Sequence, residues 1–138
     1  MKKEEPIFDL IFELDKKYQQ EKDLFIETID LSQAEYNLFI CLKHCEHFNS
    51  YSIAEKMNLS LSRVSRIIEK MVSKKYLTRA TNKKDRRAID IAITKKGKQI
   101  SEQISDFIIY RSSEIEKKLK PSEFNEMKTN LSKLIDII

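Results

Sequence analysis

Residues 60–97 read SLSRVSRIIEK (60–70), MVSKKYLTRA (71–80) and TNKKDRRAIDIAITKKG (81–97), and this stretch decides the fold. Leu61, Val64, Ile68 and Met71 recur at three- and four-residue spacing, the signature of one helical face. Residues 76–80 and 88–93 then change to a period of two, with Ile89, Ile91 and Ile93 on one side and Ala88, Asp90 and Ala92 on the other. That predicts two short strands joined by a polar, basic tip at 81–87. A hairpin so small is marginal by itself, so its isoleucine face must pack on the helices. The charge is concentrated here as well: residues 60–98 carry 13 Lys and Arg against 3 acids, a local balance of +10. The whole chain has 26 basic and 22 acidic residues, which leaves the rest of it at −6. A lysine-rich solvated surface is the bland alternative, but it would not leave the remainder acidic. A basic segment on an acidic body is what a domain carries when it meets a polyanion with one face.

The bulk numbers bound the rest. A chain of 138 residues, 41% hydrophobic and 35% charged, is long enough for a single domain with a real core. One Gly, two Pro and no Trp leave little material for an all-β or loop-rich fold. No apolar run reaches the roughly 18 residues of a membrane span, and Met1-Lys2-Lys3-Glu4-Glu5 leads into no signal-peptide core, so a cytoplasmic, membrane-free protein is expected.

Upstream of the deciding stretch, Ser32 with Glu35 three residues on forms a capping box that starts a helix with Leu38, Phe39 and Leu42 inside, fading near 47–49. Residues 50–57 form a short helix, capped by Asn49 or Ser50 and buried through Ile53, Ala54 and Met57. Asn58-Leu59 is the turn, since Asn tolerates the left-handed conformation, and Ser60 caps the next helix. Residues 6–29 carry a stripe of Ile7, Ile11, Leu14, Tyr18, Phe25 and Ile29, widened by Phe8, Leu10 and Phe12 and interrupted by Glu21 and Lys22. Pro6 suits a first helical position. After Thr94 as cap, a long helix runs to about residue 118, and Pro121 opens a last one striped by Phe124, Met127, Leu131, Leu134, Ile135 and Ile138. First and last helices this apolar exceed what one small domain covers. They predict a homodimer, with 6–29 and 98–138 as its dimerisation region and 32–97 as the other lobe.

Two helices joined by a tight turn, the second exposing small polar and Arg residues, make a helix-turn-helix. A helix entering a major groove must be slim where it meets base edges, which Ser60, Ser62 and Ser65 allow. It also needs forked or cationic donors for guanine edges and phosphates, which Arg63, Arg66 and Lys70 supply. Lys83, Lys84, Arg86 and Arg87, with Asp85 among them, make the hairpin tip a second candidate contact.

These residues resemble the MarR family of bacterial winged helix-turn-helix regulators. The resemblance is detailed over 31–97 and follows the helix order across nearly all of 1–138. Ile53-Ala54-Glu55 looks like the family's Ala-Glu pattern, and Ser60, Val64, Ser65 and Arg66 match its recognition helix. Most specific is the wing signature, present as Asp85-Arg86-Arg87 and then Ile93-Thr94-Lys95-Lys96-Gly97, with Ile where the family has Leu. The resemblance implies a mainly α fold with a small β-hairpin wing and helical dimerisation elements. It also implies that Arg87 enters a minor groove while Asp85 braces a guanidinium, in keeping with the attraction of narrow A·T-rich grooves for Arg. Many relatives have Gly where this chain has Lys75, so that position is expected to hold a less comfortable backbone or the helix to run on slightly, and Asn58 stands where Gly is frequent in the turn.

The function expected is a sequence-specific, double-stranded-DNA-binding transcriptional regulator. It would be a homodimer on a pseudo-palindromic operator, repressing until a small-molecule effector binds. Two alternatives stay open. One is a winged-helix module that binds protein and not DNA. The other is a metal- or thiol-sensing regulator using Cys41, His44 and Cys45, although Cys41 and Cys45 continue the stripe of Ala34 and Leu38 and read more simply as small core residues. Without a glycine-rich phosphate loop or a paired-carboxylate or Ser-His-Asp arrangement, no enzyme, resident metal or cofactor is expected.

Overall fold

The computed structural model describes residues 4–44 and 48–138. Its elements are α1 (Ile7–Ile26), α2 (Gln33–Lys43), α3 (Ser50–Met57), α4 (Leu61–Ser73), β1 (Leu77–Thr81), β2 (Ile89–Ile93), α5 (Lys95–Lys117) and α6 (Pro121–Ile137). The chain divides into two compact units, residues 1–101 and residues 102–138, with α5 running from the first into the second.

Helix boundaries in the first unit follow local chemistry. Ser32 accepts from the Glu35 N–H while its own N–H donates to Glu35 Oε1, both at 3.2 Å, the reciprocal bonds of a capping box. Asn49, not Ser50, caps α3, accepting from Ser52 N–H at 2.9 Å. Ser60 caps α4 through the Arg63 N–H at 3.2 Å. Helix α3 stops because Asn58 turns left-handed, at φ 53°, and Leu59 N–H reaches back to Ala54 carbonyl at 3.0 Å. Helix α4 stops the same way: Lys75 has φ 66° and Tyr76 N–H donates to Met71 carbonyl at 2.9 Å. The less comfortable backbone expected at Lys75 is therefore present, and α4 does not run on through it.

The core of this unit is built from Tyr36, Leu38, Phe39 and Leu42 of α2, Ile53 of α3, and Val64, Ile68 and Met71 of α4, closed by Tyr76 and Leu77. The hairpin pairs antiparallel, Leu77 opposite Ile93 through Thr81 opposite Ile89. Ile91 is buried and Ile89 and Ile93 half-buried, as the alternation predicts, but Ala88 is buried too, just ahead of the strand. The wing is pinned to the helices by backbone: Ile91 N–H donates to Phe48 carbonyl at 2.8 Å and Ile89 N–H to Ser50 Oγ at 2.9 Å. Gly97 is required where α5 starts, because a Cβ there would overlap the Tyr76 carbonyl oxygen and lie 2.8 Å from Ile93 Cγ2. Thr94 caps α5 through the Gly97 N–H at 3.0 Å.

Several expectations need correction. Pro6 precedes the first helix as its N-cap, and the helix ends at Ile26, with 27–30 forming a turn. Helix α2 closes at Lys43, short of the 47–49 expected. The strands start one residue late, at Leu77 and Ile89, because Tyr76 and Ala88 are spent on the turns leading in. Lys22 does not interrupt the buried face of α1; it belongs to it. The residue is only 2% exposed, its ammonium 5.6 Å from the centre of the Tyr36 ring and 6.0 Å from that of Tyr18. Of the apolar stripe, Ile7, Leu14 and Tyr18 are exposed, while Ile26, which the stripe did not include, is buried. In the second unit Pro121 opens α6 at its first position, and Lys120 N–H donates to Glu123 carboxylate at 3.0 Å.

Candidate nucleic-acid interface

On α4 the face opposite Val64, Ile68 and Met71 presents Ser62, Arg63, Arg66 and Lys70, all exposed. Among the described residues none of these three cations is paired with an acid. The acid that shares their face, Glu69, is held by Arg79 of β1 at 3.0 Å, which removes it as a competitor. The other two serines are structurally committed. Ser60 Oγ is the helix cap, and half-buried Ser65 donates its hydroxyl to Leu61 carbonyl at 2.9 Å, leaving only acceptor capacity outward.

The wing tip is built by two side chains. Asn82 Oδ1 accepts from Lys84 N–H at 2.9 Å and Asp85 N–H at 3.0 Å, an Asx turn, while its amide donates to Asp90 Oδ1 at 3.0 Å. Asp85 Oδ1 accepts from the Arg87 N–H at 2.9 Å, and Asp85 Oδ2 accepts from the Tyr51 hydroxyl at 3.0 Å. The first of these bonds, then the second, then the Arg87 charge hold the Asp85 carboxyl below its ordinary range. Lys83, Lys84, Arg86 and Arg87 project from this frame, exposed.

The structure thus presents Ser62, Arg63, Arg66 and Lys70 on one helix face, and Lys83, Lys84, Arg86 and Arg87 on one loop. It alters the picture at two places. The Asp85–Arg87 brace is not a paired guanidinium–carboxylate fork: Nε lies 3.5 Å from Oδ1 and the Arg87 side chain is 83% exposed, so what Asp85 holds is chiefly the Arg87 backbone. Nor do all the basic residues of 60–98 face outward together. Lys74 is drawn inward, 2.9 Å from the buried Glu35 carboxylate and 3.7 Å from Asp30. Burial alone would lower the Lys74 pKa, but the hydrogen bond and charge of Glu35, with Asp30, raise it above its ordinary value. Lys96 lies over the Tyr76 ring at 5.2 Å. Sequence reading missed Tyr51, whose only signal is a large aromatic in the first turn of a short helix.

Of the possible sensing cluster, Cys41 is buried and His44 exposed, while Cys45 lies outside the described residues. Among the described residues no group of three His, Cys, Asp or Glu could hold a metal ion, and no helix is long and apolar enough to cross a membrane.

Residues 31–89, the helix-turn-helix and most of the wing, match the model of the MarR family. The HTH-type transcriptional regulator SarZ of Staphylococcus aureus (strain USA300) is 22% identical over 126 residues, spanning 90% of this chain and 82% of that protein. The crystal structure of wild-type MarR (apo form) from E. coli superposes with a TM-score of 0.79 at 19% identity, covering 94% of this chain and 96% of that one. The S. aureus MepR–DNA complex gives 0.81 at 20% identity, covering 98% of this chain and all of that one (100%). SarZ is by name a transcriptional regulator. Among the described residues, six helices and a two-stranded antiparallel wing agree with these matches: the chain has the winged helix-turn-helix fold, and residues 31–89 are similar to the MarR family.

Proposed function

We propose that the protein is a transcriptional regulator that binds double-stranded DNA sequence-specifically as a homodimer, and that a small molecule releases it. The observation that carries this reading is the outward set of unpaired cations on α4 (Arg63, Arg66, Lys70), seconded by the exposed cations of the wing tip. Arg63 and Arg66 sit on the first two turns of α4, where forked donors meet base edges. Lys83, Lys84, Arg86 and Arg87 carry charge without the rigid packing that base reading demands, which suits phosphate and minor-groove contact. The MepR structure is titled a DNA complex, and the similarity of fold adds support. Two protomers would place their α4 helices about 34–36 Å apart, one turn of duplex.

The dimer reading rests on exposed apolar side chains, Phe8, Leu10 and Phe12 on α1 and Leu131, Ile135 and Ile137 on α6. The effector reading rests on an open groove of about 460 Å³ along α1, α2 and α3, where Tyr18, Tyr36, Ile40 and Met57 meet the polar side chains of Asn37 and Lys56. The test is selection of a preferred duplex from a random pool, followed by affinity measured across a salt series. Enrichment of a two-fold-related sequence, with affinity falling steeply as salt rises, is the expected result. Unenriched pools and a slope near zero would favour a protein-binding module instead.

A further inference from the structure

We infer that Tyr51 is a positioning residue for DNA binding: its hydroxyl, bonded to Asp85, sets the attitude of the wing tip relative to the helix-turn-helix, and through it the reach of Arg87. This rests on the DNA-binding reading and names a residue that acts within it.

The argument starts from how little else holds the tip. Strand β2 is fastened to Phe48, just before α3, and to Ser50, the first residue of α3, at the base of the wing. Beyond that base, the tip's own bonds are internal to it: Asn82 to Lys84, Asp85 and Asp90, Ala88 N–H to Asp85 carbonyl at 3.0 Å, and Asp85 to Arg87. A two-stranded ribbon with an internally braced end is free to rock about its base as one body. Tyr51 supplies a bond from outside, across 34 positions of sequence, from the first turn of α3 to the carboxylate at the apex. Because Asp85 spends one oxygen on Tyr51 and the other on the Arg87 backbone, the two bonds form a continuous strut from α3 to Arg87. The acceptor is charged, which strengthens both bonds. The hydroxyl also holds its proton more firmly than a free tyrosine, chiefly through the Asp85 bond, so the strut is intact at neutral pH.

Tyr51→Phe keeps the ring and removes only the hydroxyl. Compare the full chain, Tyr51→Phe, Asp85→Asn, their combination and Arg87→Ala on one mixed-sequence duplex over a salt series, and measure amide exchange at Arg87 in the free proteins. The expected result for Tyr51→Phe is a loss of affinity of about three- to tenfold, less than the full worth of a charged hydrogen bond because the bond is made in the free protein too. The slope against salt should be unchanged, because no phosphate-neutralising cation has gone, whereas Arg87→Ala lowers it. The double variant should bind no worse than Asp85→Asn, and exchange of the Arg87 N–H should quicken in Tyr51→Phe. A variant with native affinity and native exchange overturns the inference, as do losses that multiply when the two substitutions are combined. A wild-type protein whose affinity ignores salt overturns the DNA reading and this inference with it. Salt-dependent wild-type binding that responds to Arg87→Ala but not to Tyr51→Phe overturns this inference alone.

Discussion

Arg63 and Arg87 are both exposed and cationic, yet their settings assign them different work. Arg63 lies on a rigid helix whose cap accepts its own backbone N–H, so its fork is presented in a defined direction. Arg87 stands on a loop with its side chain 83% exposed, held by its backbone. Arg87→Ala is therefore expected to weaken binding on all duplexes and to lower the salt slope by about one per protomer. Arg63→Ala should also erode discrimination between operator and random duplex; equal losses on both would refute that division. Backbone chemistry at single positions is as definite. Gly97→Ala forces a methyl against the Tyr76 carbonyl and should cost about 2–3 kcal/mol in urea unfolding, the scale of overpacking. Lys75→Gly relieves a left-handed residue and should raise stability by about 0.5–1 kcal/mol, read by the same unfolding curves. The family signature announced Gly97 in the sequence. The carbonyl that forbids a side chain there became visible only when β1, β2 and α5 met.

At the scale of elements, α2 and α4 are joined by Lys74 reaching Glu35, whose second oxygen is buried and without a partner. Glu35 reads in the sequence as half of a capping box, and it is that, but the same carboxylate also closes the end of α4. Lys74→Met should destabilise by about 2 kcal/mol, because it leaves a buried carboxylate unpaired; the half-exposed amine discounts the figure. Adding Glu35→Gln should recover part of that loss, and unfolding curves of the pair decide it. The pH dependence has a clear sign. The Lys74 pKa is raised above 10.5 by Glu35 and Asp30 against the opposing effect of burial, and burial raises the Tyr36 and Tyr76 phenols above 10.0. Each group keeps a proton in the folded state that the unfolded chain releases. Their stabilisation is whole below about pH 10 and is lost as pH rises through the folded values. Thermal unfolding from neutral pH to about pH 11 should show this alkaline fall, and Tyr36→Phe should make it shallower.

For the molecule as a whole, the open question is what covers the apolar side chains of α1 and α6. Phe8 is 67% exposed and Ile137 79%, and neither helix hides its stripe within its own unit. Single exposed hydrophobics are ordinary, but runs on two helices predict association. Sedimentation of the purified protein should report a dimer at micromolar concentration. Phe8→Asp combined with Phe12→Asp should shift it toward monomer and weaken operator binding, since one recognition helix grips one half-site. A wild-type protein that sediments as a monomer would end the two-half-site reading.

The sequence by itself determined which segments are helices and strands, where most of them begin, and which face of α4 looks outward. Those features arise from neighbours a few residues apart: apolar spacing, a serine or asparagine ahead of a helix, a left-handed asparagine after one. Only the tertiary structure decided which charges stay available. Thirteen basic residues in one stretch look alike on paper, yet folding sends Lys74 to Glu35 across 39 positions, Arg79 to Glu69 across 10, and the Tyr51 hydroxyl to Asp85 across 34. Short-range periodicity carries no record of such partners, because they are set by how separate elements pack. Packing alone singles out the cations left facing solvent.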